Sequence, residues 1–182
     1  MHNAHIGQRI RVTRLGPAEV ARYRDLMLHA YAAAPDAFTS TAEERAAEPD
    51  AWWLARIADP KGLSQAFAAL SEGQLVGTVT IEFSAKPKTR HKAHLIGMFV
   101  QESARGLGAG RALVDAALAV AAARPGVQVV TLTVTDGNQP AIRLYERCGF
   151  ESFGVEPMAI WTPGGFRSKV HMWLRLAQPT AA

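Results

Sequence analysis

The chain has 182 residues, of which 48% are hydrophobic and 20% charged, and its formal net charge is +4. That length suits a single domain with an ordinary core, and the composition fits a globular protein rather than a disordered chain or one with a membrane span of about 20 apolar residues. The only cysteine, Cys148, excludes an internal disulfide and argues against a thiolate metal cluster; with no apolar run like that of a signal peptide near the amino terminus, a metal-free, cytoplasmic protein is expected.

Residues 1–9 and 178–182 read as frayed ends of one domain spanning 1–182. Ile10 to Leu15 alternates as a strand and stops at Gly16-Pro17. Pro17 suits a first helical turn, and Val20, Tyr23, Met27, Ala30 and Tyr31 mark one face of a helix that ends before Pro35. Thr41 and Glu44 have the spacing of a capping box, which predicts a short helix ending near Pro49. Asp50 is placed to cap another helix carrying Trp52, Trp53, Leu54 and Ile57. In this region Asp36, Glu43, Glu44, Glu48 and Asp50 stand against Arg45 alone, which reads either as a solvated face or as a surface that attracts a cation.

Gln65–Leu70 and Leu75–Phe83 read as strands joined by a hairpin at Ser71-Glu72-Gly73-Gln74. Alternation places Leu75, Gly77, Val79, Ile81 and Phe83 on one face and Thr78, Thr80 and Glu82 on the other, so Glu82 faces a site or solvent. Lys86, Lys88, Arg90, His91 and Lys92 form a basic connection, but no nucleic-acid recognition motif accompanies them. A central strand, His94–Val100, follows, and Gly97 within it marks a bulge or a close approach.

The run Gln101–Arg111 is a glycine-rich turn leading into a helix with Leu113, Val114, Ala117, Leu118 and Ala121 at helical spacing. Gly106, Gly108 and Gly110 let backbone come close to a ligand, and a helix start offers unpaired N–H groups and the positive end of a dipole. From Ser103 to Val114 there is no acid, while Arg105 and Arg111 flank the glycines; two cations at a positive dipole end make sense around a bound phosphate. Val127–Val134 then reads as a buried strand, Thr135–Pro140 as a turn, and the next stretch as a helix through Leu144 and Tyr145 to Cys148, capped by Gly149. Phe150–Val155 and Lys169–Leu176 read as strands separated by a loop with Pro163-Gly164-Gly165.

Met98-Phe99-Val100, Arg105-x-x-Gly108-x-Gly110, Asn138 and Leu144-Tyr145-Glu146-Arg147-Cys148-Gly149-Phe150, in this order and spacing, resemble the GNAT superfamily of N-acetyltransferases. The resemblance is strong over Ala93–Phe150 and looser elsewhere. It implies an α/β fold with a mixed, mostly antiparallel sheet, flanked by helices, whose central strand pair splays apart to admit acetyl-CoA as co-substrate. In such proteins the backbone of Met98, Phe99 and Val100 would pair with the pantetheine arm. Amides from Arg105, Gly106, Gly108, Ala109, Gly110 and Arg111 would hold the pyrophosphate, Asn138 would touch the cofactor arm, and Tyr145 would aim its hydroxyl at the thioester sulfur. Asn138 as a helix cap and Tyr145 as a packing residue are the plainer alternatives.

Acyl transfer to an amine requires that the ammonium lose a proton and that the departing thiolate be protonated or stabilised. A phenol can donate to the thiolate, and a strand-end amide near Val100 can polarise the carbonyl. Glu82 and His94 are the candidate bases. The expected acceptor is the primary amine of a small molecule, drawn by the acidic segment and by cation–π contact with Trp52, Trp53 and Trp161. A peptide amino group as acceptor, and a non-catalytic acyl-CoA sensor, are the alternatives. A homodimer is implied by the resemblance alone.

Overall fold

A computed structural model of the chain describes residues 10–177; both expected frayed ends lie outside them. In chain order come β1 (Arg11–Arg14), α1 (Val20–Ala33), α2 (Ala42–Ala46), α3 (Asp50–Ile57), β2 (Ser64–Ser71), β3 (Gln74–Phe83) and β4 (Lys92–Val100). They are followed by α4 (Ala109–Ala123), β5 (Val129–Thr135), α5 (Gln139–Arg147), β6 (Glu151–Thr162) and β7 (Gly165–Arg175). All seven strands form one sheet in the order β1-β2-β3-β4-β5-β7-β6. Every neighbouring pair is antiparallel except β4 and β5, which run parallel, so the sheet is mixed and mostly antiparallel as the motifs implied.

Each face of the sheet has its own core. Side chains from Val79, Ile81, Ala93, Leu95, Val130, Leu132, Val134 and Met172 pack with Leu113, Val114, Ala117 and Ala121 of α4 and Ile142 and Tyr145 of α5. On the other face Ala66, Ala68, Leu75 and Phe99 pack under Tyr23, Leu26 and Met27 of α1 and Trp53 and Ile57 of α3. Each large apolar side chain so buried contributes about 1.5–3 kcal/mol, which makes these two layers the main source of stability. Trp53 is fully buried, edge-on to Tyr23 at 5.9 Å between ring centroids, and so cannot offer its face to an acceptor.

Four irregularities in the ladders correct the simple alternation expected from the sequence. Between β2 and β3 one extra residue on β3 shifts the register, so Leu75 lies on the α1 face while Gly77 and Val79 lie on the α4 face. Between β3 and β4, Thr78 pairs with Phe99 but Thr80 pairs with Ile96, leaving one residue too many on β4. That bulge holds Gly97 at φ 60°, a left-handed conformation that glycine adopts without strain. Its consequence is a change of parity: Ala93 and Leu95 point under α4, whereas Phe99 points under α1. The other two lie in the hairpin of β6 and β7, one between Ser152 and Gly154 and one between Glu156 and Ile160, where Met158 has φ 53°.

Other boundaries differ from expectation for local reasons. Pro17–Glu19 forms a 3-10 turn before α1, with the Gly16 N–H donating to the Glu19 carboxylate at 2.8 Å. The capping box holds, Thr41 Oγ1 accepting from Glu44 N at 3.1 Å, but α3 is capped by Pro49 and Asp50 lies in its first turn. β5 is not buried on both sides: Val130, Leu132 and Val134 are, while Thr131 and Thr133 look out of the opposite face. β6 runs on to Thr162 through Pro157, which an edge strand tolerates because it needs no ladder N–H there. Among the described residues no helix is long and apolar enough to cross a membrane, and no three His, Cys, Asp or Glu side chains cluster as metal ligands would.

Candidate functional site

β4 and β5 pair at three positions only, Lys92 with Val129, Ala93 with Val130 and His94 with Thr131. Beyond that rung β4 stays with β3, while β5 stays with β7 along its whole length. A gap opens between two strands whose facing backbone groups have no ladder partner, and such groups look for one. A cavity of about 190 Å³ fills the gap, bordered by Leu95–Met98, Thr133–Thr135, Tyr145 and Lys169. It shares Ala37, Phe38, Met98, Asn138, Ala141 and Leu144 with a larger cleft of about 550 Å³.

All ten residues expected to hold the co-substrate border that cleft: Met98, Phe99, Val100, Arg105, Gly106, Gly108, Ala109, Gly110, Arg111 and Asn138. The three turn glycines do different work. Gly106 and Gly108 have φ 77° and 82°, and a Cβ on either would meet nothing within 4 Å, so they shape an open turn. Gly110 has an ordinary helical φ, but a Cβ there would sit 3.0 Å from Leu144 Cδ2 and 3.4 Å from Met98 Cε. It is small so that α4, α5 and β4 can close together. Gly108 caps α4, whose first turn carries no acid, leaving the helix start electropositive.

The flanking arginines are less free than the sequence implies. Arg111 Nε donates to both Asp115 carboxylate oxygens at 2.9 Å, and its Nη1 donates to the Arg147 carbonyl at 2.8 Å. Arg105 Nε donates to the Val100 carbonyl at 3.3 Å. Arg147, on the last turn of α5, borders the cleft as a third cation that sequence reasoning does not single out. Asn138 caps α5, its Oδ1 accepting from Ala141 N at 3.3 Å.

Tyr145 reaches the gap from the α5 side, buried and edge-on to Phe150. Burial, and next to it the Cys148 thiol, pushes its phenol well above the usual range, so the hydroxyl is protonated at any physiological pH. Glu82 and His94 are cross-strand partners on the opposite face and border neither cavity. His94 Nδ1 lies 2.9 Å from Thr131 Oγ1, and burial holds the ring below its ordinary pKa, with the Glu82 charge pulling the other way.

The acidic segment is largely spent on internal pairs. Asp36 meets Arg167 at 3.5 Å, Asp50 meets Arg24 at 3.1 Å, Glu48 meets Arg45 at 3.3 Å, and Glu44 serves the capping box. Of the tryptophans, Trp52 is covered by the Arg45 and Arg56 guanidiniums, and Trp161 lies exposed on β6. Sequence pattern marks Lys169 only as the start of a strand. In the fold it is buried at the gap, donating to Thr135 Oγ1 at 2.8 Å and to the Ala37 carbonyl at 3.3 Å. A lysine alternating with His171 and Trp173, against Val170 and Met172, is the available signal that this face of β7 is special.

The acetyltransferase (GNAT) family profile matches residues 25–150. The chain belongs to the GNAT family. Among its GNAT relatives, L-amino acid N-acetyltransferase AaaT of Escherichia coli (strain K12) is 32% identical over 106 residues, covering 58% of this chain and 64% of AaaT. Mycothiol acetyltransferase of Thermomonospora curvata is 35% identical over 130 residues, 71% of this chain but 39% of the relative. The chain thus spans less than two thirds of the length of either relative. The GNAT fold is shared with yncA of Salmonella typhimurium, solved with acetyl-CoA, at TM-score 0.77 and 20% identity over 96% of this chain and 98% of that one. A GNAT acetyltransferase from Streptococcus pneumoniae matches at TM-score 0.78 and 19% identity, over 93% of this chain and 100% of that one.

Proposed function

We propose that this protein is a cytoplasmic N-acetyltransferase that uses acetyl-CoA to acetylate the primary amine of a small molecule. The observation that carries the reading is the continuity of the glycine-turn cleft with the strand gap beside Tyr145. The residues suit such a co-substrate: the turn is open at Gly106 and Gly108, and the start of α4 is free of acids. Acetyl-CoA would supply an activated acetyl thioester.

The amides of Gly106–Arg111 and the positive end of α4 receive the pyrophosphate, with Arg105 and Arg147 adding charge. The free edge of β4 at Met98–Val100 offers N–H and C=O groups to the extended arm, as a strand does to its neighbour. A strand-end N–H near Val100 polarises the acyl carbonyl. His94, held uncharged by burial, or Glu82 beside it takes the acceptor proton through water, since neither side chain borders the cavities. The amine nitrogen then bonds to the acyl carbon as the carbon–sulfur bond breaks. Because its pKa is raised, Tyr145 is better suited to donating a hydrogen bond to the leaving sulfur than to giving its proton away outright.

The test is release of free thiol from acetyl-CoA with a panel of amines, with wild type and Tyr145→Phe compared against an enzyme-only control for Cys148. Amine-dependent release that falls by about a hundredfold in the variant supports the reading. Binding of acetyl-CoA without release for any amine assigns a sensing role instead, and absence of binding overturns the reading of the turn.

We also propose a homodimer formed through the hairpin of β6 and β7. β6 is an open edge, and Phe153, Val155, Met158, Trp161 and Phe166 along the hairpin are 56–72% exposed. An antiparallel edge of this kind is met most simply by its own copy across a two-fold axis.

A further inference from the structure

We propose that Arg56 and Lys169 bind a carboxylate on the acceptor, so that the amine acetylated here belongs to a free amino acid. The inference rests on the acetyltransferase reading and narrows its substrate class. Its starting point is two cations near the bulge of β4 that have no ion-pair partner, although Glu156, opposite Lys169 in the ladder of β6 and β7, acts on that ammonium from a longer distance. Arg56, on α3, has its guanidinium carbon 4.7 Å from the Trp52 ring centroid, and its Nη2 lies 3.9 Å from where a Cβ on Gly97 would stand. Its Nε is buried without a hydrogen-bond partner. Lys169, on β7, is 5% exposed and borders the gap cavity together with Gly97. Its ammonium donates only to a carbonyl and a hydroxyl, both neutral.

Among the described residues neither cation takes part in an ion pair, although Arg24, Arg45, Arg111 and Arg167 all do. Burying a charge without a partner is costly, and such an arrangement is accounted for when the partner is a ligand. Its position over the Trp52 ring restrains the Arg56 guanidinium, a group whose fork of donors suits two-pronged recognition of a carboxylate. The acidic segment, paired off internally, does not oppose an anionic ligand and offers little to a purely cationic one.

An α-amino acid carries its ammonium and its carboxylate on the same carbon. A carboxylate held beside Gly97 therefore leaves the amine a few bonds away, next to the free edge of β4 where the gap cavity opens. A peptide amino terminus has no carboxylate at that distance, and neither does a simple alkyl amine.

The experiment compares small L-amino acids with their carboxamides as acceptors, in wild type, Arg56→Gln and Lys169→Met. Thiol release is the first readout; calorimetric titration of the CoA-loaded protein with the same compounds is the second. The expected result is a preference for the acid by about tenfold or more in kcat/KM, mostly through KM, that Arg56→Gln largely abolishes without altering affinity for acetyl-CoA. Lys169→Met should act in the same direction if it folds; the comparison of acid with amide in wild type needs no variant. Equal use of acids and amides, better use of amides or peptides, or an acid preference that survives in Arg56→Gln would overturn the inference while leaving the acetyltransferase reading intact. Without turnover of any amine, calorimetry decides: amino-acid binding that Arg56→Gln weakens sustains the inference, and no such binding overturns it. Failure to bind acetyl-CoA would instead sink the acetyltransferase reading and take this inference with it.

Discussion

Glu82 and His94 meet across β3 and β4 at the last rung where β4 is still joined to β5. Because burial lowers the folded-state pKa of His94 below the usual 6.5, the unfolded chain binds a proton there more readily than the folded one as pH falls. The stability this ring contributes is therefore present above about pH 6.5 and is lost progressively below it. Thermal midpoints taken from about pH 8 down to pH 5 should fall less steeply for His94→Gln than for wild type. In turnover, a base at Glu82 predicts that Glu82→Gln loses the acid limb of the kcat/KM profile; an unchanged profile would leave His94 as the candidate. Residue types and short spacings are enough to single out Tyr145, the turn glycines and the capping pair Thr41 and Glu44, since each acts within one local stretch. Lys169, Arg56 and the burial of Trp53 stay hidden, because they depend on β7 pairing with β5 and on α3 crossing β2, which no local pattern encodes.

The glycine turn and the bulge of β4 are single-residue devices acting on whole elements. Gly108 and Gly110 should respond differently to alanine. At Gly108, with φ 82° and open space, Gly108→Ala introduces backbone strain of about 1–2 kcal/mol, read as a lower denaturation midpoint. Gly110→Ala has no φ penalty but drives its methyl into Leu144, a wall of both cavities, so the expected effect is weaker acetyl-CoA binding by calorimetry with little loss of stability. The bulge at Gly97 is legible in the sequence because a lone glycine packs nothing and weakens an apolar strand, so its presence points to a backbone shape that other residues resist. The bulge beside Val76 carries the same kind of mark in Gly77, but a glycine does not say which residue is the extra one, and strict alternation therefore puts Leu75 on the wrong face.

At the scale of the molecule, the order of strands leaves β6 as an edge carrying large exposed apolar side chains, Trp161 at 72% and Phe153 at 61% among them. If this face meets a second copy, sedimentation velocity will show a dimer in wild type, shifted towards monomer in Trp161→Glu and Phe153→Lys, with thermal stability little changed. The sheet itself is divided by the gap between β4 and β5, which is continuous with the glycine-turn cleft and is bordered by Lys169. An acyl thioester lying along the cleft and a carboxylate held beside Gly97 would occupy different parts of the site, so neither reactant must leave before the other arrives. The expected kinetic scheme is thus a ternary complex with no obligatory order of addition. Initial-rate plots should intersect rather than run parallel, and product CoA should compete with acetyl-CoA but not with the amine.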